Sequence, residues 1–156
     1  MSLPEAGKSA PLFTLPDQNG DKIALKSLRG KPVVLYFYPR ADTPGCTVQA
    51  CGIRDHRADL KKAGATVLGV SPDPVEAIAK FDRKHSLDFT LLADEDHKVA
   101  EKYGTWVEKS MYGKKYWGVQ RATFVIDAKG KIAQVIEKAS PKTHADDILA
   151  IVAGLS

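Results

Sequence analysis

Cys46 and Cys51 are the residues of this sequence whose type and spacing indicate chemistry, and they are the only cysteines among its 156 residues. Thr43 is expected to be the N-cap of a helix with Pro44 at its first position, which puts Cys46 in the first turn. The free N–H groups and the positive end of the helix dipole there favour a thiolate, the nucleophilic form of cysteine. The sequence therefore predicts a reactive thiol at Cys46 rather than an inert buried one.

A helix start alone does not make a thiol strongly reactive. A free thiol has a pKa of about 8.5, and changing a pKa by one unit takes ~1.36 kcal/mol. The helix dipole typically supplies only ~0.3–1 kcal/mol. Most of any large decrease in the pKa of Cys46 must therefore come from direct hydrogen bonds or a nearby cation. Arginine is the natural candidate because it stays charged and offers a fork of donors. The residues alone do not select Arg121 over Arg40 or Arg54.

Cys51 follows Cys46 by five residues. On a continuous helix this step is a rotation of about 140° with a rise of roughly 7.5 Å, which separates the Cα atoms by about 8.6 Å. A disulfide requires Cα atoms within about 7 Å. The two thiols could therefore join only if the start of the helix unwinds. From the residues alone, Cys51 is either a redox partner of Cys46 or a small buried side chain.

Other kinds of site find little support. Cys46, Cys51 and His56 are equally spaced, but steps of five residues point their side chains in three directions on a helix, so no metal is expected. The other histidines, His85, His97 and His144, are expected on solvated faces. The sequence contains no glycine-rich phosphate loop, serine elbow or dinucleotide fingerprint, so no cofactor is expected either.

Length and composition limit the class of protein. A chain of 156 residues predicts a single domain over residues 1–156, and two cysteines cannot form the disulfide framework of a small secreted fold. The 23 basic and 19 acidic residues give a net charge of +4. They are interspersed, which argues against a nucleic-acid partner. No apolar run reaches the ~20 residues of a membrane span, and the N-terminus lacks a secretory signal, so we expect a cytoplasmic protein.

The elements that must position Cys46 alternate between strands and helices. An N-terminal β-hairpin is predicted around Asn19-Gly20, and a helix is predicted from Pro44 to Lys61-Lys62. Residues 110–118 are expected to form a loop. Strands are predicted at 33–38, 66–70, 89–92, 122–126 and 132–136, and further helices after Asp73, after Asp94 and after Thr143. The pattern predicts an α/β fold with a mixed central β-sheet flanked by helices, its site lying where strand 33–38 leads into residues 39–46.

The residues that lead up to Cys46 resemble the motif of a known family. Residues 39–46, Pro-Arg-Ala-Asp-Thr-Pro-Gly-Cys, match the peroxiredoxin motif Pro-x-x-x-Thr-x-x-Cys, and the spacing to Cys51 is similar to that of the bacterioferritin-comigratory-protein or PrxQ branch. The resemblance extends over nearly the whole chain. It includes residues 7–13, 89–94 and 118–127.

The resemblance implies a thioredoxin-like fold and a thiol peroxidase. It casts Cys46 as the thiolate that attacks hydrogen peroxide or an organic hydroperoxide and becomes a sulfenic acid. Cys51 would resolve this acid as an intramolecular disulfide, which thioredoxin or a similar dithiol donor reduces. Thr43 would hydrogen-bond the thiolate and peroxide, Arg121 would clamp both, and Pro39 would shield the pocket from water. The branch also implies a monomer or weak dimer.

Two other functions remain as alternatives. A thioredoxin-like dithiol reductase or isomerase would also use a cysteine pair, although such proteins typically carry Cys-x-x-Cys. A binding module would have to use the basic and aromatic segment from Tyr112 to Trp117. We expect this segment instead to border the pocket.

Overall fold

The chain forms strands and helices in an alternating order. The computed structural model describes residues 3–155. The strands are β1 (Thr14–Pro16), β2 (Lys22–Ala24), β3 (Val33–Phe37), β4 (Thr66–Ser71), β5 (Thr90–Ala93), β6 (Trp106–Met111), β7 (Lys114–Val119), β8 (Thr123–Ile126) and β9 (Ile132–Ile136). The helices are α1 (Pro44–Asp55), α2 (Arg57–Lys62), α3 (Val75–His85), α4 (Lys98–Lys102) and α5 (His144–Ala153), and a short 3-10 helix spans Leu25–Leu28.

The centre of the molecule is a mixed sheet in the order β5-β4-β3-β8-β9. β3, β4 and β5 are parallel, whereas β8 is antiparallel to β3 and β9 is antiparallel to β8. All five residues of β3 are buried, as expected for a central strand that is covered on both faces. The predicted mixed sheet flanked by helices is confirmed.

Two hydrophobic clusters cover the two faces of this sheet. Because side chains alternate along a strand, Leu35 and Phe37 of β3 belong to one cluster, while Val34 and Tyr36 belong to the other. The first cluster contains the aromatic residues Phe13, Tyr103 and Phe124. The second packs α1, α2, α3 and α5 against the sheet through Ala50, Ile53, Leu60, Ile78, Phe81, Ile148 and Val152. The helix that carries Cys46 is thus fixed along its buried face.

The N-terminal β-hairpin is confirmed. β1 and β2 pair antiparallel, with Leu15 opposite Ile23. The Asp17 carboxylate accepts hydrogen bonds from the backbone N–H groups of Asn19 and Asp21, and Gly20 has a φ of 83°. Glycine adopts this left-handed conformation without the steric cost that a Cβ would bring.

The predicted single helix from Pro44 to Lys62 is divided at His56. This residue has φ −105° and ψ 9°, and it separates α1 from α2. Its backbone N–H is shared between the carbonyls of Gly52 and Ile53, while its ring Nδ1 lies 2.8 Å from the Gly52 oxygen. The imidazole thus competes with the backbone for one carbonyl, and the helix axis is interrupted there.

The loop predicted over residues 110–118 is wrong, because most of this segment is a β-hairpin. β6 and β7 pair antiparallel around Tyr112 and Gly113, whose φ angles of 52° and 77° form the two-residue turn. Most of β7 is exposed on both faces, so the alternation of apolar and polar residues that identifies a strand is missing. A tyrosine in the turn also lacks the signal of an Asn-Gly pair.

The helices offer no candidate for a membrane span. Within residues 3–155, none combines the length and apolar character that crossing a bilayer requires.

Candidate active site

Cys46 lies where the sequence places it, at the end of the sheet from which the active-site loop leaves β3. Its side chain is 1% exposed and its thiol is free. Thr47 makes an early helical hydrogen bond of α1, to the Thr43 carbonyl at 2.8 Å. The N–H groups of Gly45 and Cys46 therefore have no carbonyl one turn back within the helix, and they remain free to donate at this end of α1.

Thr43 stands at the N-cap position but does not cap α1 with its side chain. Its backbone is extended, with φ −90° and ψ 157°. The hydroxyl donates a hydrogen bond to the Arg40 carbonyl at 2.9 Å, and its oxygen accepts no capping bond from α1. The hydroxyl proton is held by that carbonyl, which leaves the oxygen lone pairs of Thr43 as hydrogen-bond acceptors.

The loop before α1 is tied to β4 by Asp73. One oxygen of this carboxylate accepts hydrogen bonds from the Ala41 N–H at 2.7 Å and from the Ser71 hydroxyl at 2.8 Å. Pro39, at the bend after β3, is half-buried. Asp73 was predicted only as a residue at the start of α3. Its contact with the loop had no signal in the sequence because the two segments lie 32 residues apart.

A second acid, Asp42, ties the same loop to the end of α3. Its carboxylate contacts Lys84 Nζ at 2.9 Å and His85 Nε2 at 3.2 Å. Hydrogen bonds from Lys84 and then from His85 lower the pKa of this carboxyl. Asp42 also has a φ of 62°, in the left-handed region. The loop is thus held from two sides just before Cys46.

Arg121, in the segment between β7 and β8, packs its guanidinium against the first turn of α1. A Cβ added to Gly45 would stand 2.9 Å from Arg121 Nη2, so the glycine provides the room for this approach. Nη1 donates a hydrogen bond to Oε1 of Gln49 at 2.9 Å. The structure thus brings Arg121 to the turn that contains Cys46, as the resemblance implies, whereas Arg54 instead bonds the His85 carbonyl.

Gln49 links Arg121 to a buried histidine that the sequence did not single out. Its amide Nε2 lies 3.1 Å from His144 Nδ1, and His144 Nε2 lies 2.7 Å from the Thr123 hydroxyl. His144 is fully buried, so its expected place on a solvated face is wrong. Burial lowers its pKa to about 4, Asp147 opposes this change, and Arg121 adds to it.

The sequence contained a signal for Gln49 but none for His144. Gln49 follows Cys46 by three residues, the spacing that places two side chains on one side of a helix. His144 is 95 residues away from Gln49, and only the packing of α5 against α1 brings them together.

An aromatic layer lies beneath the site. Tyr36 stacks on Tyr38 with ring centroids 5.5 Å apart, and its ring covers Gly69, where a Cβ would stand 2.8 Å from the ring carbon Cζ. Burial raises the pKa of Tyr36 well above 10, and nearby Tyr38 and Cys46 add to this increase. Among residues 3–155 its hydroxyl has no hydrogen-bond partner.

Lys109 of β6 places a second cation near Arg121. Its ammonium donates a hydrogen bond to the Val119 carbonyl. Burial lowers its pKa, the charge of Arg121 adds to this decrease, and Cys46 opposes it. The base of the β6–β7 hairpin, at Lys109, therefore lies near Arg121 and Cys46. That the Tyr112–Trp117 segment borders the pocket stays a prediction.

Cys51 lies five residues after Cys46 on the same helix α1, and it is half-buried and free. The geometry of an α-helix keeps such a pair about 8.6 Å apart at Cα, beyond the reach of a disulfide. Joining the thiols therefore requires the first turns of α1 to unwind.

No group of three or more His, Cys, Asp or Glu side chains in the described part of the chain could hold a metal ion. A cavity of about 500 Å³ lies where β4 and β5 begin, lined by Arg57, Lys61 and Phe89 among others. These are the amino-terminal ends of the strands, whereas Cys46 lies at their carboxyl ends.

Known proteins resemble this chain over almost its full length. The AhpC/TSA family matches residues 6–135. Peroxiredoxin Bcp of Escherichia coli is 52% identical over 145 residues, which cover 93% of each chain. Peroxiredoxin Bcp of Bacillus subtilis is 40% identical over 152 residues, which cover 97% of each chain.

Solved structures show the same fold. Peroxiredoxin Q of Xanthomonas campestris has a TM-score of 0.90 and 32% identity, with 97% of this chain and 98% of that chain covered. The peroxidoxin BcpB of Mycobacterium tuberculosis has a TM-score of 0.86 and 40% identity, with the same coverage. The thioredoxin-like fold expected from the resemblance is confirmed.

Proposed function

The chain belongs to the AhpC/TSA family and is a thiol peroxidase of the peroxiredoxin type, and on that premise we propose that Cys46 attacks the peroxide and Cys51 resolves the product. The observation that carries this assignment is the guanidinium of Arg121, packed against the helix turn that contains the free Cys46 thiol. A fixed cation there favours the thiolate and the negative charge that develops on the departing oxygen.

The first step consumes one peroxide. The Cys46 thiolate attacks one peroxide oxygen, an S–O bond forms, and the O–O bond breaks. The departing oxygen takes a proton and leaves as water or an alcohol, and Cys46 becomes a sulfenic acid. Arg121 stabilises the departing oxygen. The Thr43 hydroxyl, which donates its hydrogen bond to the Arg40 carbonyl, accepts a hydrogen bond from the peroxide. Pro39 limits access of water.

The second step regenerates the thiols. The Cys51 thiol attacks the sulfenic sulfur, water leaves, and an intramolecular disulfide forms. A dithiol donor such as thioredoxin then reduces this disulfide and is itself oxidised. Resolution matters because an unresolved sulfenic acid can be oxidised further to a sulfinic acid.

We propose both hydrogen peroxide and organic hydroperoxides as substrates. The bacterioferritin comigratory protein of X. campestris is described by its alkyl peroxide reduction activity, and it is 32% identical to this chain with a TM-score of 0.90. A dithiol reductase or isomerase is not favoured, because the cysteines are five residues apart on one helix.

Domain organisation, oligomeric state and cellular location are also part of the proposal. We propose that the chain acts as one domain, since both hydrophobic clusters pack on the same sheet. We also propose a monomer or weak dimer, which sedimentation would test. A cytoplasmic location is consistent with two cysteines that must return to free thiols in every cycle, and cell fractionation would test it.

The assignment is tested by one equivalent of hydrogen peroxide followed by intact-mass analysis. The unchanged chain should lose two hydrogen atoms as the disulfide forms. Cys46→Ser should consume no peroxide. Cys51→Ser should consume one equivalent and gain oxygen at Cys46. Val48→Ala, an exposed substitution on the same helix, should behave like the unchanged chain. Survival of both thiols after this treatment would refute the assignment.

A further inference from the structure

A series of hydrogen bonds, partly buried at Arg121 and fully buried beyond it, runs from Arg121 through Gln49 to His144 of the C-terminal helix and on to Thr123. The successive distances are 2.9 Å, 3.1 Å and 2.7 Å. The last three side chains are at most 1% exposed. They come from α1, α5 and β8, so the contacts join three separate elements behind the site.

The donors and acceptors fix the direction of these hydrogen bonds. A guanidinium can only donate, so Gln49 Oε1 accepts from Arg121. The other end of the amide, Nε2, can only donate, and therefore His144 Nδ1 must accept and carries no proton. The remaining imidazole nitrogen, Nε2, then bears the proton and donates it to the Thr123 hydroxyl.

We propose that His144, neutral and with its proton on Nε2, is a positioning residue for Arg121. This inference rests on the proposed role of Arg121 beside Cys46. A proton on Nδ1 would face the amino group of Gln49, so two donors would meet. Gln49 would then have to turn its amide, which would present the amino group to the guanidinium and remove the acceptor that holds Arg121.

The surroundings of His144 maintain the neutral form. Arg121 faces it from the segment before β8, the Tyr36 ring packs against it from β3 with centroids 5.4 Å apart, and Asp147 lies on its own helix. Burial and the positive charge of Arg121 both disfavour the imidazolium, and Asp147 only partly offsets them. Burial, with an added contribution from the charge of Arg121, thus keeps the histidine that positions this arginine neutral.

The first experiment determines the tautomer by nitrogen-15 NMR of the imidazole in the reduced protein at neutral pH. We expect the neutral form with hydrogen on Nε2. An imidazolium, or hydrogen on Nδ1, would overturn the inference. This readout needs no peroxide and no variant.

The second experiment compares the rate constant of Cys46 with hydrogen peroxide in three folded variants. His144→Phe keeps a ring but loses both nitrogens, and it should react roughly tenfold more slowly, with its thiolate titration displaced to higher pH. His144→Asn offers an amide oxygen to Gln49 and should retain most of the rate. His97→Gln removes an imidazole that stacks on Trp106 instead, and it is the matched control.

The outcomes separate this inference from the proposed function. Equal rates and titrations for a folded His144→Phe and the unchanged chain would overturn the positioning role while leaving the peroxidase assignment intact. If the unchanged chain consumes no peroxide, the proposed function fails, and the imidazole spectrum still decides the direction of the hydrogen bonds. A merely structural role would change thermal stability without displacing the thiolate titration.

Discussion

Replacing His144 by a residue that does not titrate should change how the stability of the protein depends on pH. Burial lowers the pKa of His144 from 6.5 to about 4, with Asp147 opposing and Arg121 adding to the effect. Between these pH values the unfolded chain binds a proton that the folded protein does not. The free energy of unfolding must therefore decrease as the pH falls through this window.

The magnitude follows from the two pKa values. Their difference, at ~1.36 kcal/mol per pKa unit, gives roughly 3 kcal/mol of stability that is fully present above pH 6.5 and lost by about pH 4. This is a large part of the ~5–15 kcal/mol that stabilises a typical folded protein. Below about pH 4 both states are protonated, so His144 causes no further change.

The assay is urea unfolding at a series of pH values for the unchanged chain and for His144→Gln. The variant should be less stable at neutral pH, because Gln49 and Thr123 lose a well-placed partner. The difference between the two proteins should then shift by roughly 3 kcal/mol in favour of the variant as the pH falls to about 4. Carboxylates titrate in both proteins, so their contribution cancels in this comparison. Parallel curves across the window would refute the reasoning.

Three further substitutions test the packing around the site. Gly69→Ala would place a Cβ 2.8 Å from the Tyr36 ring, so we expect a loss of about 1–3 kcal/mol and a melting temperature lower by roughly 5 °C; an unchanged melting curve would contradict this. Gly45→Ala would place a Cβ 2.9 Å from Arg121 Nη2 and should slow the reaction with peroxide about tenfold by displacing the guanidinium; stopped-flow rates equal to those of the unchanged chain would count against it. Arg121→Lys keeps the charge but loses the planar fork, so the same rate should fall on the order of a hundredfold; a fully active lysine variant would show that charge alone suffices.

The position of Cys46 could be predicted because its signals are local. Thr43-Pro44 marks the start of a helix. Because this helix follows a buried strand, its first turn lies at the carboxyl end of the sheet, where α/β proteins bind ligands. The contacts of His144 could not be predicted, since its burial depends on α5 packing across the sheet face next to α1. Thr43 stands at the expected N-cap position, but its hydroxyl makes no capping bond, because the side chain is turned toward the Arg40 carbonyl, to which it donates. Arg121 needed the family resemblance, since several arginines are equally plausible by sequence.

The β6–β7 hairpin forms a sheet of its own, in which the two strands pair only with each other among the strands of residues 3–155. Its tip and outer strand expose Tyr112 and Trp117, which are 98% and 58% accessible. Free strand edges with exposed aromatic side chains can template the stacking of further strands into aggregates. The exposed Lys114 and Lys115 counter this, because two such edges that approach each other bring like charges together. We therefore expect these lysines to oppose edge-to-edge pairing between copies of the chain, with Lys114 contributing most because Lys115 is paired with Glu108.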